Sequence, residues 1–259
     1  MLVLGAAGAF PLTASAAGGS DRDVAAVGAT PDGDGDSGGA WGPVSAAGAQ
    51  RMAELERMAG GASANGARLA AACPTLAGAP GVAAACAPAI PSARSLSVTW
   101  QQQKTGYWCG PATVAMASGY FKNPKSQADV AKKIGTTTAG SDRLQVRNGL
   151  KWVSGVAYEA ISAPSAEQLM VIFRANIGRN GHPFAVNTRE EARDRYYNMH
   201  PNRGIGHFVL ATGYTNEGRT GRMHDPAAGL KGGYENSAKT FTLSVTDIAF
   251  FTAKRGVVA

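Results

Sequence analysis

The residue of this 259-residue chain best placed to do chemistry is a cysteine, Cys109, that stands where a helix should begin. Cys109 follows Gln103-Lys104-Thr105-Gly106-Tyr107-Trp108 and opens Cys109-Gly110-Pro111-Ala112. Pro111 suits a first helical position, because its φ is fixed near the helical value and its missing N–H would have had no partner there. Ala112, Val114, Ala115, Met116 and Tyr120 then supply an apolar stripe at helical spacing. A cysteine at such a mouth faces unpaired backbone N–H groups and the positive end of the helix dipole, which favours the nucleophilic thiolate. The plainer reading is a packing residue, since free cysteine is among the most buried types. The Gly-Pro context and the polar loop upstream favour the nucleophile.

A thiol nucleophile needs a base, and the chain offers four histidines. His207 lies near the start of the alternating run Gly206-His207-Phe208-Val209-Leu210-Ala211-Thr212-Gly213-Tyr214, a strand that can hold a ring rigidly against a helix mouth. His182 precedes Pro183 in a turn and His200 lies in a polar Pro/Asn/Arg loop, so both read as surface residues. His224 is the rival, being adjacent to Asp225. Asp225-Pro226-Ala227 comes just after the strand that follows that of His207. Adjacent antiparallel strands would bring its carboxylate to the His207 ring, to hold the tautomer and stabilise the imidazolium. Taken alone, Asp-Pro is ordinary turn chemistry. Gln103 would add a side-chain N–H to the Cys109 backbone N–H around a developing oxyanion. Spacing alone selects it over Gln101 and Gln102, and the alternative is a solvent-exposed amide. Tyr107 and Trp108 either line the cleft or pack where the helix begins.

The elements that must position these groups can be read in order. Ser126-x-x-Asp129 caps a helix with Val130 and Ile134 inward, and Ser141, Leu144, Leu150 and Val153 suggest another. Val156–Ile161 alternates as a strand. Ser165-x-x-Gln168 opens a helix with Leu169, Ile172, Phe173 and Ile177 on one face. Residues 183–188, 206–215 and 222–224 read as strands between Gly-rich turns. Ser244-x-x-Asp247 caps a last short helix before a Val257-Val258 strand. The expected class is α+β, with N-terminal helices packed on an antiparallel sheet.

Upstream the composition changes. Residues 1–16 are apolar and uncharged and end in Ala14-Ser15-Ala16, the pattern of a signal peptide, so a secreted, extracellular product is expected. Gly5, Gly8 and Pro11 interrupt a run too short to span a membrane. Residues 17–95 read as an Ala/Gly-rich linker or pro-segment, with a short helix near Gln50–Met58. The Asp32-Gly33-Asp34-Gly35-Asp36 run lacks the glutamate that closes a calcium loop. Cys73 and Cys86 suit a short-loop disulfide that leaves Cys109 free. The expected catalytic domain is residues 96–259.

Charge divides the chain in the same place. Residues 1–95 carry 5 Lys/Arg against 7 Asp/Glu, and residues 96–259 carry 20 against 11. A basic exported domain could be drawn to anionic cell-wall polymers, whereas no nucleic-acid motif is present.

Taken together, Gln103, the six-residue step to Cys109-Gly110-Pro111-Ala112, Gly206-His207-Phe208-Val209 and Asp225-Pro226 resemble the papain-like cysteine peptidase superfamily. Within it, the resemblance is to the bacteriocin-processing peptidases that cleave double-glycine leader peptides, here as a secreted stand-alone member. It spans roughly Val98–Val258. It implies a papain-like fold with Cys109 as nucleophile, His207 as base, Asp225 as orienting residue and Gln103 as oxyanion donor. The expected activity is cleavage of peptide or isopeptide bonds in a peptide or protein substrate, with no metal or organic cofactor. The same residues would also serve a transglutaminase-like acyltransferase, and the fold without the chemistry would be a binding module.

Overall fold

The computed structural model describes residues 45–60, 89–192 and 197–259. The expected signal peptide over residues 1–16, the Asp32–Asp36 run and the Cys73–Cys86 pair all lie outside them.

Helix α1 (Ala46–Gly60) comes first, then a short strand β1 (Arg94–Ser95) and helix α2 (Cys109–Tyr120). Cys109 is the first residue of α2, so Pro111 occupies the third helical position and not the first. The shift is harmless, because none of the first four N–H groups of a helix has an intrahelical acceptor. All ten residues from Cys109 to Ser118 are buried. The expected stripe is thus a helix buried on every side, as suits one enclosed by the rest of the domain.

Two further helices pack on α2: α3 (Gln127–Ile134) and α4 (Arg143–Ser154). Ser126 caps α3 by accepting from the Asp129 N–H. Helix α4 starts at a capping box formed by Asp142 and Gln145, which the sequence reading passed over in favour of Ser141. With the start set there, Leu144 points out at 53% exposure and Val146 takes the inward place. Gly149 lets α4 approach α2, since a Cβ there would lie 3.0 Å from Val114 and Ile134 side-chain atoms.

Of the expected Val156–Ile161 strand only β2 (Ala160–Ile161) forms. Helix α5 (Ala166–Ile172) opens with the Ser165–Gln168 capping box and widens into a π-helical stretch, Phe173–Asn180. The remaining elements are β3 (Phe184–Glu190), β4 (Ile205–Thr215), β5 (Thr220–His224), β6 (Thr240–Ser244), α6 (Val245–Thr252) and β7 (Gly256–Val258). The sheet order is β2-β7-β3-β4-β5-β6, with β1 also on β4 and every pairing antiparallel. The fold is therefore α+β, as expected. Strands β3 and β4 are buried almost throughout, which requires packing on both faces of the sheet.

One helix packs outside the expected 96–259 boundary. Met52, Leu55 and Ala59 of α1 are buried in the same apolar cluster as Val257 and Val258. The Arg51 guanidinium donates to Asn176 Oδ1 at 3.1 Å and to the Ala259 carbonyl at 3.3 Å. The packed unit thus reaches upstream of residue 96. Leu55 is fully buried, so Leu55→Ala should cost about 2–5 kcal/mol through lost contacts and a residual cavity. Chemical denaturation checks this, and removing residues 45–60 should lower the thermal midpoint further.

Candidate active site

The site forms where the mouth of α2 meets the β4–β5 pair. Cys109, as the first residue of α2, sits among that helix's unpaired N–H groups. Gly110 allows the mouth to sit against the loop before α4: a Cβ there would lie 3.0 Å from Ser141 and 3.1 Å from Val146. Cys109 is 3% exposed, as a packing residue would be, yet it lies close enough to the His207 ring to raise that ring's pKa.

His207 is the third residue of β4. Its Nε2–H donates to Asp225 Oδ1 at 2.9 Å, which leaves Nδ1 as the nitrogen for the thiol. Sheet register explains the choice of histidine. Strand β5 pairs His224 with Leu210, three residues beyond His207 and so on the opposite face. Asp225, one residue after His224, alternates back to the His207 side. His224 instead packs beside Thr240 Oγ1 at 3.1 Å and Arg222. Burial and the Arg222 charge pull its pKa down to about 4, so it is neutral near pH 7. His182, read as a surface residue, is half-buried with its ring 5.6 Å from that of Phe121.

His200 corrects the sequence reading outright. Far from lying on the surface, it is 3% exposed and directly bonded to Asp225. Its Nε2 lies 2.7 Å from Asp225 Oδ2 and its Nδ1 2.9 Å from Glu190 Oε1. Asn198 Nδ2 also donates to Oδ2, at 2.6 Å, and the Ala227 N–H donates to Oδ1, at 2.8 Å. His207, Asp225, His200 and Glu190 thus form one hydrogen-bonded line, with Cys109 beside its His207 end. The ligand atoms of His200, His207 and Asp225 lie within 4.8 Å of one another, a spacing open to a metal ion. Here, however, they are bonded to each other at 2.7 and 2.9 Å, as a proton-holding network would be.

The electrostatics follow from burial and pairing. For Asp225, burial raises the pKa, but the His207 charge and the bonds from His200 and His207 outweigh it and hold the carboxyl well below its ordinary range. For His207, burial lowers the pKa, while the charge and bond of Asp225 and the contact with Cys109 hold it well above its ordinary value. An imidazolium at this position is thereby favoured at neutral pH.

Gln103 is 2% exposed and clamped. Its N–H donates to the Pro226 carbonyl at 2.9 Å, and its side-chain Nε2 donates to the Thr105 carbonyl at 2.9 Å. Gln127 holds the same loop by accepting from the Lys104 N–H and donating to the Gln102 carbonyl. Trp100 Nε1 donates to the Asp225 carbonyl at 2.7 Å, and Gln102 Nε2 to that of Ala228 at 2.8 Å. The loop before Cys109 is therefore strapped along the turn that carries Asp225. Gln127 and Trp100 escaped the sequence reading because neither type announces such a clamp without its distant partner.

Comparison with known proteins bears on these residues. Residues 95–245 match the Peptidase_C39 like family. No curated protein matches at a significant level. Among solved structures, the chain is similar to the peptidase domain of Streptococcus ComA, a bifunctional ABC transporter involved in quorum sensing. Identity there is 20%, the TM-score is 0.42, and coverage is 62% of this chain and 95% of that one. A double-glycine motif protease from an AMS/PCAT transporter, solved with its leader peptide, gives 17% identity and TM-score 0.43, covering 64% and 91%. Xylellain, a cysteine protease from Xylella fastidiosa, gives 14% and 0.45, covering 66% and 86%. The family match is the firmer finding, for it spans Gln103, Cys109, His207 and Asp225 and most of the helices and strands that hold them. On that match the chain belongs to the Peptidase_C39-like family of cysteine peptidases.

Proposed function

We propose that the protein is an exported cysteine peptidase that hydrolyses peptide or isopeptide bonds through Cys109, His207 and Asp225. One observation carries the reading: the thiol at the mouth of α2 stands beside an imidazole that is bonded in turn to a buried carboxylate. In the first half-reaction the Cys109 sulfur attacks the scissile carbonyl carbon. The C–N bond then breaks as the His207 imidazolium protonates the leaving amine, giving an acyl-thioester. Water next attacks the thioester carbonyl and loses its proton to His207. The carboxylic acid is released, and Cys109 and His207 return to their starting protonation. Asp225 holds the ring and its charge throughout. Export is proposed from the apolar N-terminal stretch ending at Ala14-Ser15-Ala16.

Gln103 is proposed to stabilise the oxyanion together with the Cys109 backbone N–H, supported by its buried, clamped place in the loop before Cys109. Gln103→Ala should then lower kcat by about 10²–10³-fold while KM moves little, since the bond strengthens only in the transition state. Steady-state kinetics on a quenched fluorescent peptide checks both constants.

The direct test treats the full chain with iodoacetamide and locates the label by peptide mass spectrometry. Labelling at Cys109 that abolishes hydrolysis, and that slows markedly in His207→Ala, supports the reading. An inert Cys109 in an active protein would overturn it. Repeating the assay with an added primary amine separates hydrolysis from acyl transfer by the product formed.

A further inference from the structure

We propose that Glu190 and His200 act as positioning residues for the peptidase reaction, completing a carboxylate cradle in which Asp225 is shared between two imidazoles. The inference deepens the cysteine-peptidase reading and rests on it.

An ionised carboxylate has about four lone-pair sites. Asp225 has four donors to fill them: His207 Nε2 and the Ala227 N–H on Oδ1, and His200 Nε2 and Asn198 Nδ2 on Oδ2. Every direction is occupied, so the carboxylate cannot rotate or take up a proton without displacing a donor. Half of that cradle comes from the segment around His200.

Proton counting defines the role of Glu190. Both ring nitrogens of His200 lie at hydrogen-bond distance from carboxylate oxygens. A neutral imidazole has one N–H and one acceptor nitrogen. Two arrangements satisfy both contacts: an imidazolium facing ionised Glu190, or a neutral ring whose Nδ1 accepts from protonated Glu190. In each the pair holds one proton more than a neutral ring beside an ionised carboxylate, and the pair as a whole is neutral. In each, too, Nε2 carries a hydrogen and points it at Asp225. Glu190 therefore works to keep the His200 donor aimed at Oδ2.

The surroundings are built for this. Glu190 ends β3 opposite Ile205, on the same face as the Thr188–His207 pair, so one sheet face presents both Glu190 and His207. Aromatic rings enclose the His200 ring: Tyr234 at 4.8 Å and Tyr197 at 5.2 Å between centroids, with His207 at 5.3 Å. The segment that delivers it is strained. Asn198 and Met199 both have positive φ, at 47° and 59°, and Met199 is 57% exposed. A non-glycine residue in that region costs about 1–3 kcal/mol and persists only where its surroundings fix it. Here the fixing contacts are those of Asn198, which donates to Asp225 and to the Ala238 carbonyl and accepts from the Ala238 N–H. A strained turn from which both Asn198 and His200 bond to Asp225 points to the cradle.

The test compares three full-length variants on a fluorogenic peptide that the wild type hydrolyses. His200→Phe keeps a ring of similar size in the aromatic enclosure but removes the donor. Its kcat should fall about 10- to 100-fold, as expected for losing a hydrogen bond to a charged group, with KM nearly unchanged. Glu190→Leu should behave alike. Glu190→Gln should recover most of the rate, because its amide can donate to Nδ1 and leave the hydrogen on Nε2. Wild-type kcat in folded His200→Phe, or equal losses in the leucine and glutamine variants, would overturn the inference. A measurement on the wild type stands apart from folding of the variants: ¹⁵N shifts of the histidine rings at pH 7 should show a hydrogen on His200 Nε2. A bare Nε2 would sink the proposal. Cys109→Ala separates the two ideas, since an active Cys109→Ala protein would refute the peptidase reading, whereas an inactive one beside a fully active His200→Phe refutes the cradle alone.

Discussion

Replacing Cys109 with Ala should lower peptide hydrolysis by on the order of 10⁴-fold or more, because no other group in the line can form the acyl intermediate. His207→Ala should cost a similar factor, and the double variant little beyond either single one. Groups that act as a unit lose their joint contribution once any of them is gone. The two variants should nonetheless differ in stability. Cys109→Ala trims one buried sulfur, a change of about 1 kcal/mol. His207→Ala deprives buried Asp225 of a donor and a compensating charge and should cost more. Activity at fixed protein concentration, read beside urea denaturation, distinguishes a lost nucleophile from a lost fold. Hydrolysis that survives in Cys109→Ala would locate the chemistry elsewhere in the chain.

The line from Cys109 through His207 to Asp225 was legible in sequence because each step is a local pattern. A Gly-Pro dipeptide marks the helix start, alternation marks the His207 strand, and a short connection makes the next strand antiparallel. Register then selects His207 over His224, since a one-residue step along β5 reverses the face. The other half of the network obeys no such pattern. His200 sits among Pro201, Asn202 and Arg203, a composition that reads as solvent-exposed loop. Its burial comes from Tyr234 and Asp225, 34 and 25 residues downstream, and from two positive-φ residues that no periodicity announces. Glu190 lies just past the strand expected over residues 183–188, and its partner His200 is hidden in the loop that follows. Helix α1 shows the same limit. Met52, Leu55 and Met58 mark an apolar face, but only the fold shows that α5 and β2 receive it.

Substituting Asp225 should perturb activity and stability together, and the two obvious replacements should part company. Asp225→Ala takes the acceptor from His207 Nε2, His200 Nε2 and the Ala227 N–H, all buried, while Asn198 keeps the Ala238 carbonyl. Breaking one side of such a buried charged cluster costs about 3–5 kcal/mol. Asp225→Asn keeps the shape, and its amide oxygen can still accept from His207 and the Ala227 N–H. Its NH₂ group would face Asn198 and His200, and His200 can oblige by moving its hydrogen to Nδ1 toward Glu190. The asparagine variant should therefore fold better than the alanine variant while losing the charge that sustains the His207 imidazolium. The pH dependence follows with a definite sign. The Asp225 pKa is depressed in the folded state, so its stabilisation is complete above the unfolded value near 4 and fades as pH falls toward the folded value. The His207 pKa is raised, so its stabilisation is complete below about 6.5 and fades as pH rises through the folded value. Both contributions need the negative charge of Asp225. The stability gap between wild type and Asp225→Asn should accordingly be widest between about pH 4 and 6.5 and narrow on either side. Denaturant unfolding of both proteins from pH 3 to 10 measures that gap directly. A gap that does not vary with pH would mean that Asp225 stabilises the fold by shape alone and carries no charge that His207 depends on.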